Sequence, residues 1–98
     1  MYNSEIEFEW DDDKRESNLK KHGIDFIEAR EIWLSPLVIE KDDRYAYGEE
    51  RYRAFGMLMK KGSVICIYTK RENNIIRIIS LRKANKREIK SYEQNNKK

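Results

Sequence analysis

Two adjacent basic residues, Arg82 and Lys83, stand where a predicted strand meets a predicted helix. Guanidinium and ammonium groups stabilise phosphate charge, and the first N–H groups of a helix also bind anions. A local bend at this corner would turn both cations toward one phosphate. Arg77 lies five positions before Arg82, so in a regular strand the two point to opposite faces unless a bulge or strand end intervenes. The alternatives are a surface charge pair at Arg82 and Lys83, and a structural or solvent-facing Arg77.

His22 is the only histidine, and thus the only side chain whose ordinary pKa lies near neutrality. It is therefore a candidate base or acid. Its place at the end of a predicted helix also suits a histidine structurally, because the cationic ring complements the helix dipole and can cap carbonyls. We favour a structural or substrate-positioning role over proton transfer.

No cluster of His, Cys and carboxylate residues has the spacing of metal ligands, so neither a metal site nor a cofactor is expected. The acidic run from Asp11 to Asp13 is better explained as the start of a helix. Cys66 is the only cysteine and lies in an apolar run, which predicts a small buried hydrophobic side chain rather than a disulfide.

The net charge of +3 is distributed very unevenly along the chain. Residues 1–50 hold 7 basic and 15 acidic residues, a net of −8, whereas residues 51–98 hold 14 basic and 3 acidic residues, a net of +11. Clustered Lys and Arg attract phosphates and release their counterions, so RNA or DNA is the leading partner class. The alternative is that the two halves pack together and neutralise each other as solvated surface charge.

The 98 residues, 39% hydrophobic and 40% charged, predict one globular domain over residues 1–98, with a disordered tail from about residue 94. The longest apolar stretches fall far short of the roughly 20 residues that cross a bilayer. The N-terminal residues carry neither the basic start nor the apolar segment of a signal peptide, which predicts a cytoplasmic protein without a membrane partner.

Periodicity predicts a strand and two helices in the first third of the chain. Residues 5–10 alternate between glutamate and apolar side chains, which is the pattern of a strand with one buried face. Asp11 caps a helix that ends at His22, before Gly23. Asp25 and Glu28 resemble a capping box that opens a second helix, which Pro36 must stop.

Four short strands and a helix are predicted for the remainder. The strands are residues 37–40, 51–59, 64–69 and 75–81, joined by turn-like segments into an antiparallel meander. Asn85 with Glu88 then forms the N-cap pair of a third helix. The order β-α-α-β-β-β-β-α predicts an α+β fold, with two N-terminal helices and a C-terminal helix packed on one face of a mainly antiparallel sheet.

Several spaced motifs carry a resemblance to a known family. They are residues 8–11 (FEWD), 18–24 (NLKKHGI), 26, 28–29, 48–52 (GEERY), 68–69 (YT), 77–84 (RIISLRKA), 87–88 and 92. Together they closely resemble the BrnT family of ribonuclease toxins from bacterial type II toxin–antitoxin pairs, over Phe8 to Tyr92. The chain departs from the family pattern at Leu81, where a small residue is common, and at Glu72, because the family commonly places the glutamate before Arg71.

This resemblance implies a RelE-like microbial ribonuclease fold and metal-independent cleavage of RNA, with inhibition of translation and growth. It also implies a cognate antitoxin that is BrnA-like and DNA-binding, so that operator DNA is bound only through the toxin–antitoxin complex. A non-catalytic nucleic-acid-binding module that uses the basic second half is the main alternative, and a plain interaction domain is another.

Metal-free RNA cleavage needs a base for the 2′-OH, cations for the phosphorane and an acid for the 5′ oxygen. The candidate catalytic residues are Arg82, Lys83, Arg77, Glu72 and His22. The candidate RNA-binding cations are Lys20, Lys21, Arg51, Lys70, Arg71 and Lys86. Trp10, Tyr45, Tyr47 and Tyr52 are candidates for base stacking, although the position of Trp10 in its strand favours core burial.

Overall fold

Five strands and three α-helices follow one another in the order expected from the sequence. The structure, a computed structural model, describes residues 6–43 and 48–95. Its elements are β1 (Glu7–Trp10), α1 (Asp12–His22), a 3₁₀ turn (Phe26–Glu28) that leads into α2 (Ala29–Trp33), β2 (Val38–Asp42), β3 (Arg51–Leu58), β4 (Gly62–Arg71), β5 (Ile75–Lys83) and α3 (Lys86–Asn95). The fold is therefore α+β, with three helices and a five-stranded mixed sheet. Asn96 to Lys98, the end of the predicted disordered tail, lie outside the described residues.

The strands form one sheet in the order β1-β5-β4-β3-β2. Strands β2 to β5 are the expected antiparallel meander. The N-terminal strand β1 lies parallel to β5, a pairing that the sequence patterns do not predict. It pairs only with residues Ile75 to Ile78 of β5. Within the part of the chain that the structure describes, the outer edge of β5 from Ile79 to Lys83 therefore has no strand beside it.

The helix ends follow the predicted capping signals. The carboxylate of Asp11 accepts the Lys14 N–H at 3.0 Å, and Gly23 ends α1 in the left-handed region at φ 72°. Asp25 and Glu28 form the expected capping box. The second helix differs from the prediction because its first turn is 3₁₀, and it ends at Trp33, before Pro36.

Apolar side chains cover both faces of the central strand β4. The larger core lies between the sheet and the N-terminal helices and includes Ile24, Phe26, Ile32, Val64, Cys66, Tyr68, Ile78 and Leu81. A smaller cluster on the other face holds Ile65, Ile67 and Tyr92, with Phe55 packed against it.

Helix α3 covers part of the second face. The rings of Tyr92 and Phe55 stack 4.2 Å apart at 16°. The expectation that all helices cover one sheet face is therefore wrong for α3. A strand such as β4, apolar on both faces, needs cover on both. No helix in residues 6–43 and 48–95 is long and apolar enough to cross a membrane.

Candidate active site

A β-bulge in β5 places Arg77 and Arg82 on the same face of the sheet. In the pairing of β5 with β4, Arg77 lies opposite Thr69 and Arg82 lies opposite Ile65. These two β4 residues are four positions apart. Side chains alternate along a strand, so partners separated by four positions share a face. The extra residue is Ile79, because the pairing passes directly from Ile78 to Ser80. The two arginines thus lie on one face, roughly 13 Å apart along the strand at about 3.3 Å per residue.

Three further arginines share this face. Arg51 pairs with Asp42 on β2, Arg53 with Ile67 on β4, and Arg71 with Ile75 on β5. We name the surface the arginine face, defined by Arg51, Arg53, Arg71, Arg77 and Arg82. It lies opposite the face that α1 and α2 cover, so the sheet separates it from the larger core.

Carboxylates connect the arginines at one end of this face. We call it the lower end, and it holds Arg51, Arg71 and Arg77. The carboxylate of Glu9 in β1 accepts a hydrogen bond from the Arg77 guanidinium at 2.9 Å and lies 3.7 Å from the Arg71 guanidinium. Glu49 lies 3.7 Å from Arg71 and 3.4 Å from Arg51. We name these five residues the Glu9–Glu49 network. Because it joins acidic residues of the first half to arginines of the second, the two halves do neutralise each other at this end of the face.

Arg53 lies in the middle of the arginine face and is held by β2. Its guanidinium lies 3.0 Å from Glu40 and 3.7 Å from Asp42, whose side chain is fully buried. Glu40 also accepts from the Tyr92 hydroxyl at 3.4 Å. Arg53 therefore links β3 to β2 and, through Glu40, to α3.

Arg82 lies at the opposite end of the face, the upper end, and forms a two-point ion pair with Glu88 there. Its two terminal nitrogens donate to the two carboxylate oxygens at 2.9 and 2.8 Å, and one of them also donates to the Lys83 carbonyl at 3.2 Å. These hydrogen bonds hold the pKa of Glu88 below its usual range. Glu88 therefore stays ionised at neutral pH.

His22 ends α1 and lies near enough to Arg82 for the guanidinium charge to act on its ring. Burial of the ring lowers the pKa of His22, and the positive charges of Lys21 and Arg82 lower it further. At neutral pH the ring is therefore uncharged and able to accept a proton. A cleft of about 350 Å³ between α1 and the outer edge of β5 is lined by His22, Lys21, Ser17 and Ser80, among others.

The structure separates several of the sequence-predicted cations from this group. Lys83 pairs with Val64 and Lys70 with Ile76, so both point to the face opposite Arg82. Because β5 stays paired with β4 through Lys83, the bend expected to turn Arg82 and Lys83 toward one phosphate does not occur.

The remaining candidates are dispersed over the surface. Lys20 is exposed on α1, Lys86 begins α3, and Glu72 is exposed in the turn between β4 and β5. The residues that the structure does bring together are Arg51, Arg71, Arg77 and Arg82 on one face, with His22 and Lys21 at its edge.

The stacking candidates pack against the protein. Trp10 is partly buried and meets Phe26 edge to face at 6.2 Å. The rings of Tyr52 and Tyr68 stack with their centroids 5.4 Å apart, and the Lys70 ammonium lies 4.9 Å from the centroid of the Tyr52 ring. Tyr45 and Tyr47 lie outside the described residues.

The sequence patterns do not indicate three carboxylates of the candidate site, Glu9, Glu49 and Glu88. Glu9 belongs to the polar side of an alternating strand, but its arginine partners depend on the parallel pairing of β1 with β5. The sequence pattern indicates Glu88 only as a capping residue. Its position six residues after Arg82, across a strand-to-helix corner, is the signal that would have indicated an ion pair.

A groove of about 560 Å³ is lined by Leu37, Val38, Phe55, Met57 and Tyr92, among others, and contains none of the predicted catalytic residues. Among residues 6–43 and 48–95, no group of three or more His, Cys, Asp or Glu side chains is arranged to hold a metal ion.

Comparisons with known proteins agree on one family. Residues 10–88 match the family model described as the ribonuclease toxin BrnT of type II toxin–antitoxin systems. The 1.1 Å crystal structure of the Brucella abortus ribonuclease toxin BrnT aligns with a TM-score of 0.63 and 27% sequence identity, covering 83% of this chain and 99% of that chain. Among curated protein sequences, no relative matches.

Proposed function

Because the chain belongs to the BrnT family of ribonuclease toxins of type II toxin–antitoxin systems, we propose that it is a metal-independent endoribonuclease of RelE-like fold. Cleavage of RNA in the cytoplasm then inhibits translation and growth. The observation that carries this proposal is the β5 bulge, which gives Arg77 and Arg82 a common face, while His22 lines the cleft at the outer edge of the same strand.

The upper end of the arginine face supplies the groups for cleavage. The sequence favours a structural role for His22, but its lowered pKa leaves the ring able to act as a base. In this proposal His22 takes the proton of the 2′-OH, whose oxygen attacks the phosphorus while the bond to the 5′ oxygen breaks. Arg82 stabilises the extra negative charge of the phosphorane. The departing 5′ oxygen takes a proton from water or from a neighbouring acid. The products are a 2′,3′-cyclic phosphate and a 5′-hydroxyl.

The lower end of the face holds the flanking RNA backbone. Arg77, Arg71 and Arg51 lie in the Glu9–Glu49 network, where phosphates compete with carboxylates for the guanidinium groups. Since Arg77 lies roughly 13 Å along the strand from Arg82, this network contacts phosphates other than the one that is cleaved. Lys21, next to His22 at the end of α1, adds a positive charge at the edge of the face.

A nucleic-acid-binding module without catalysis is the second candidate function. The ion pairs of the arginine face favour it, because arginines neutralised by carboxylates are also what a binding or structural surface would show. Separate measurements of RNA cleavage and RNA binding therefore distinguish the two functions.

The partner of the chain is its cognate antitoxin, which we propose to be BrnA-like and DNA-binding. The antitoxin shields the arginine face, and the complex binds operator DNA through the antitoxin. The toxin alone then shows no operator preference.

Two measurements test the proposed function. Purified chain is incubated with single-stranded RNA in excess EDTA, and we expect cleavage products that end in a 2′,3′-cyclic phosphate. In cells, induction without antitoxin is expected to stop growth, and co-expression with the antitoxin to restore it. A soluble, folded chain that binds RNA but leaves it intact, with or without added divalent metal, would establish the binding module instead.

A further inference from the structure

Arg82 is a long, flexible side chain that must be fixed before it can stabilise a phosphorane. An arginine side chain has many rotamers, so it loses conformational entropy when its guanidinium is fixed. In the structure, the two-point pair with Glu88 immobilises the guanidinium plane, with both contacts at or below 2.9 Å and both side chains only 25–29% exposed. A guanidinium presents its N–H donors in a rigid planar fork, so fixing the plane of Arg82 also fixes the directions from which a phosphate is bound.

Glu88 is itself held on two sides. Its carboxylate accepts the Asn85 N–H at 2.9 Å, while the Asn85 side chain accepts the Glu88 N–H at 2.8 Å. This capping box fixes Glu88 in the first turn of α3. The helix is in turn anchored to the sheet by the stack of Tyr92 on Phe55. The direction of Arg82 thus depends on the docking of α3.

From this chain of contacts we infer that Glu88 is a positioning residue for cleavage, which acts by holding Arg82 and not by touching the RNA. The inference rests on the proposed function. A misplacement of about 1 Å at a catalytic group can cost 100-fold in rate. The anionic Glu88 also repels nearby phosphates, so it does not contribute to RNA affinity. Its contribution is to the rate of cleavage.

The test is the variant Glu88→Gln, because glutamine still completes a capping box but cannot form the charged two-point pair. We expect the single-turnover rate at saturating RNA to fall by roughly 10- to 100-fold. Affinity for an uncleavable 2′-deoxy substrate should be unchanged or higher. The matched control is Glu93→Gln, which removes the same charge from an exposed position of α3 and should leave both quantities at the parent values.

A second measurement separates positioning from general stabilisation. If Glu88 acts through Arg82, the double variant E88Q/R82A cleaves no more slowly than R82A alone. Circular dichroism and thermal unfolding show whether each variant is folded. Should E88Q not fold, Glu88→Asp replaces it, because aspartate keeps the charge but is too short for the same contact, and the same loss of rate is expected.

The outcomes distinguish the inference from the proposed function. If E88Q cleaves at the parent rate, or if its loss adds in full to that of R82A, the positioning role is overturned while RNA cleavage stands. If the parent chain does not cleave RNA, the proposed function fails and the inference fails with it.

Discussion

The side-chain amide of Asn18 makes two hydrogen bonds to the backbone of Leu81, as a neighbouring strand would. Its nitrogen donates to the Leu81 carbonyl at 2.8 Å, and its oxygen accepts the Leu81 N–H at 3.1 Å. Leu81 lies on the stretch of β5 that β1 does not reach. Because Asn18 belongs to α1, this contact fixes the helix that carries His22 against the strand that carries Arg82.

Replacing Asn18 with alanine should therefore destabilise the fold. Both backbone groups of Leu81 lose their partner, and so does the Ile24 carbonyl, which accepts from the same amide at 3.1 Å. We expect the free energy of unfolding to fall by about 2–4 kcal/mol, measured by urea denaturation. Ser17→Ala, an exposed neighbour on the same helix, should change it by less than about 0.5 kcal/mol. Equal effects of the two variants would contradict this account.

Gly56 lies directly against Ile32 of α2, with no room for a side chain. A Cβ atom at this position would lie 2.5 Å from Cγ2 of Ile32. We expect Gly56→Ala to lower the free energy of unfolding by about 1–3 kcal/mol because the core becomes overpacked. In a cycle with Ile32→Ala, the alanine at position 56 should cost much less once the clashing side chain is gone. A G56A chain as stable as the parent would refute the overpacking.

Local signals explain which parts of the fold the sequence could predict. The caps at Asp11, Asp25 and Asn85 and the alternation in the strands depend on residues within a few positions of each other, and these elements were confirmed. The parallel pairing of β1 with β5 joins residues almost seventy positions apart, and it leaves no local pattern.

The site was harder to predict than the fold because it depends on one inserted residue. Counting positions along a regular strand puts Arg77 and Arg82 on opposite faces, and only the bulge at Ile79 reverses this. The cations of the site could be proposed from composition. Two carboxylate partners could not, because Glu9 and Glu49 reach Arg77 and Arg71 from distant segments. The short separation of Glu88 from Arg82 did offer a local signal.

The pH dependence of cleavage should report the lowered pKa of His22. The uncharged ring is the active form of a base, so activity is present above this pKa and is lost as the pH falls through it. Because burial, Lys21 and Arg82 all lower the pKa of His22, the midpoint of the acid limb should lie below the ordinary value of about 6.5. The same sign holds for stability, since protonating His22 favours the unfolded chain.

Removing one of these positive charges tests the cause of the shift. In Lys21→Gln, the midpoint of His22 observed by NMR titration of its ring protons should move up, and the acid limb of cleavage should move with it. His22→Gln should lack that limb. A parent midpoint at or above 6.5 would contradict the lowered pKa of His22. An acid limb that survives in H22Q would exclude His22 as the base.

The neighbours Arg82 and Lys83 provide the sharpest comparison in the chain, because they carry the same charge on opposite faces of β5. If Arg82 stabilises the phosphorane, Arg82→Ala should slow single-turnover cleavage by roughly 100-fold or more at saturating RNA. Lys83→Ala should lose, at most, one ordinary phosphate contact, which weakens binding and reduces its salt dependence by about one unit of slope.

Both variants are compared with the parent in two assays, after circular dichroism has shown that they are folded. Single-turnover cleavage of RNA measures the chemical step, and binding of a 2′-deoxy substrate over a range of salt concentrations measures docking. If R82A binds more weakly but cleaves at the parent rate under saturation, Arg82 is a docking residue. If K83A instead loses the cleavage rate, the site lies on the face that α1 and α2 cover, because that is where the alternation of β5 directs Lys83.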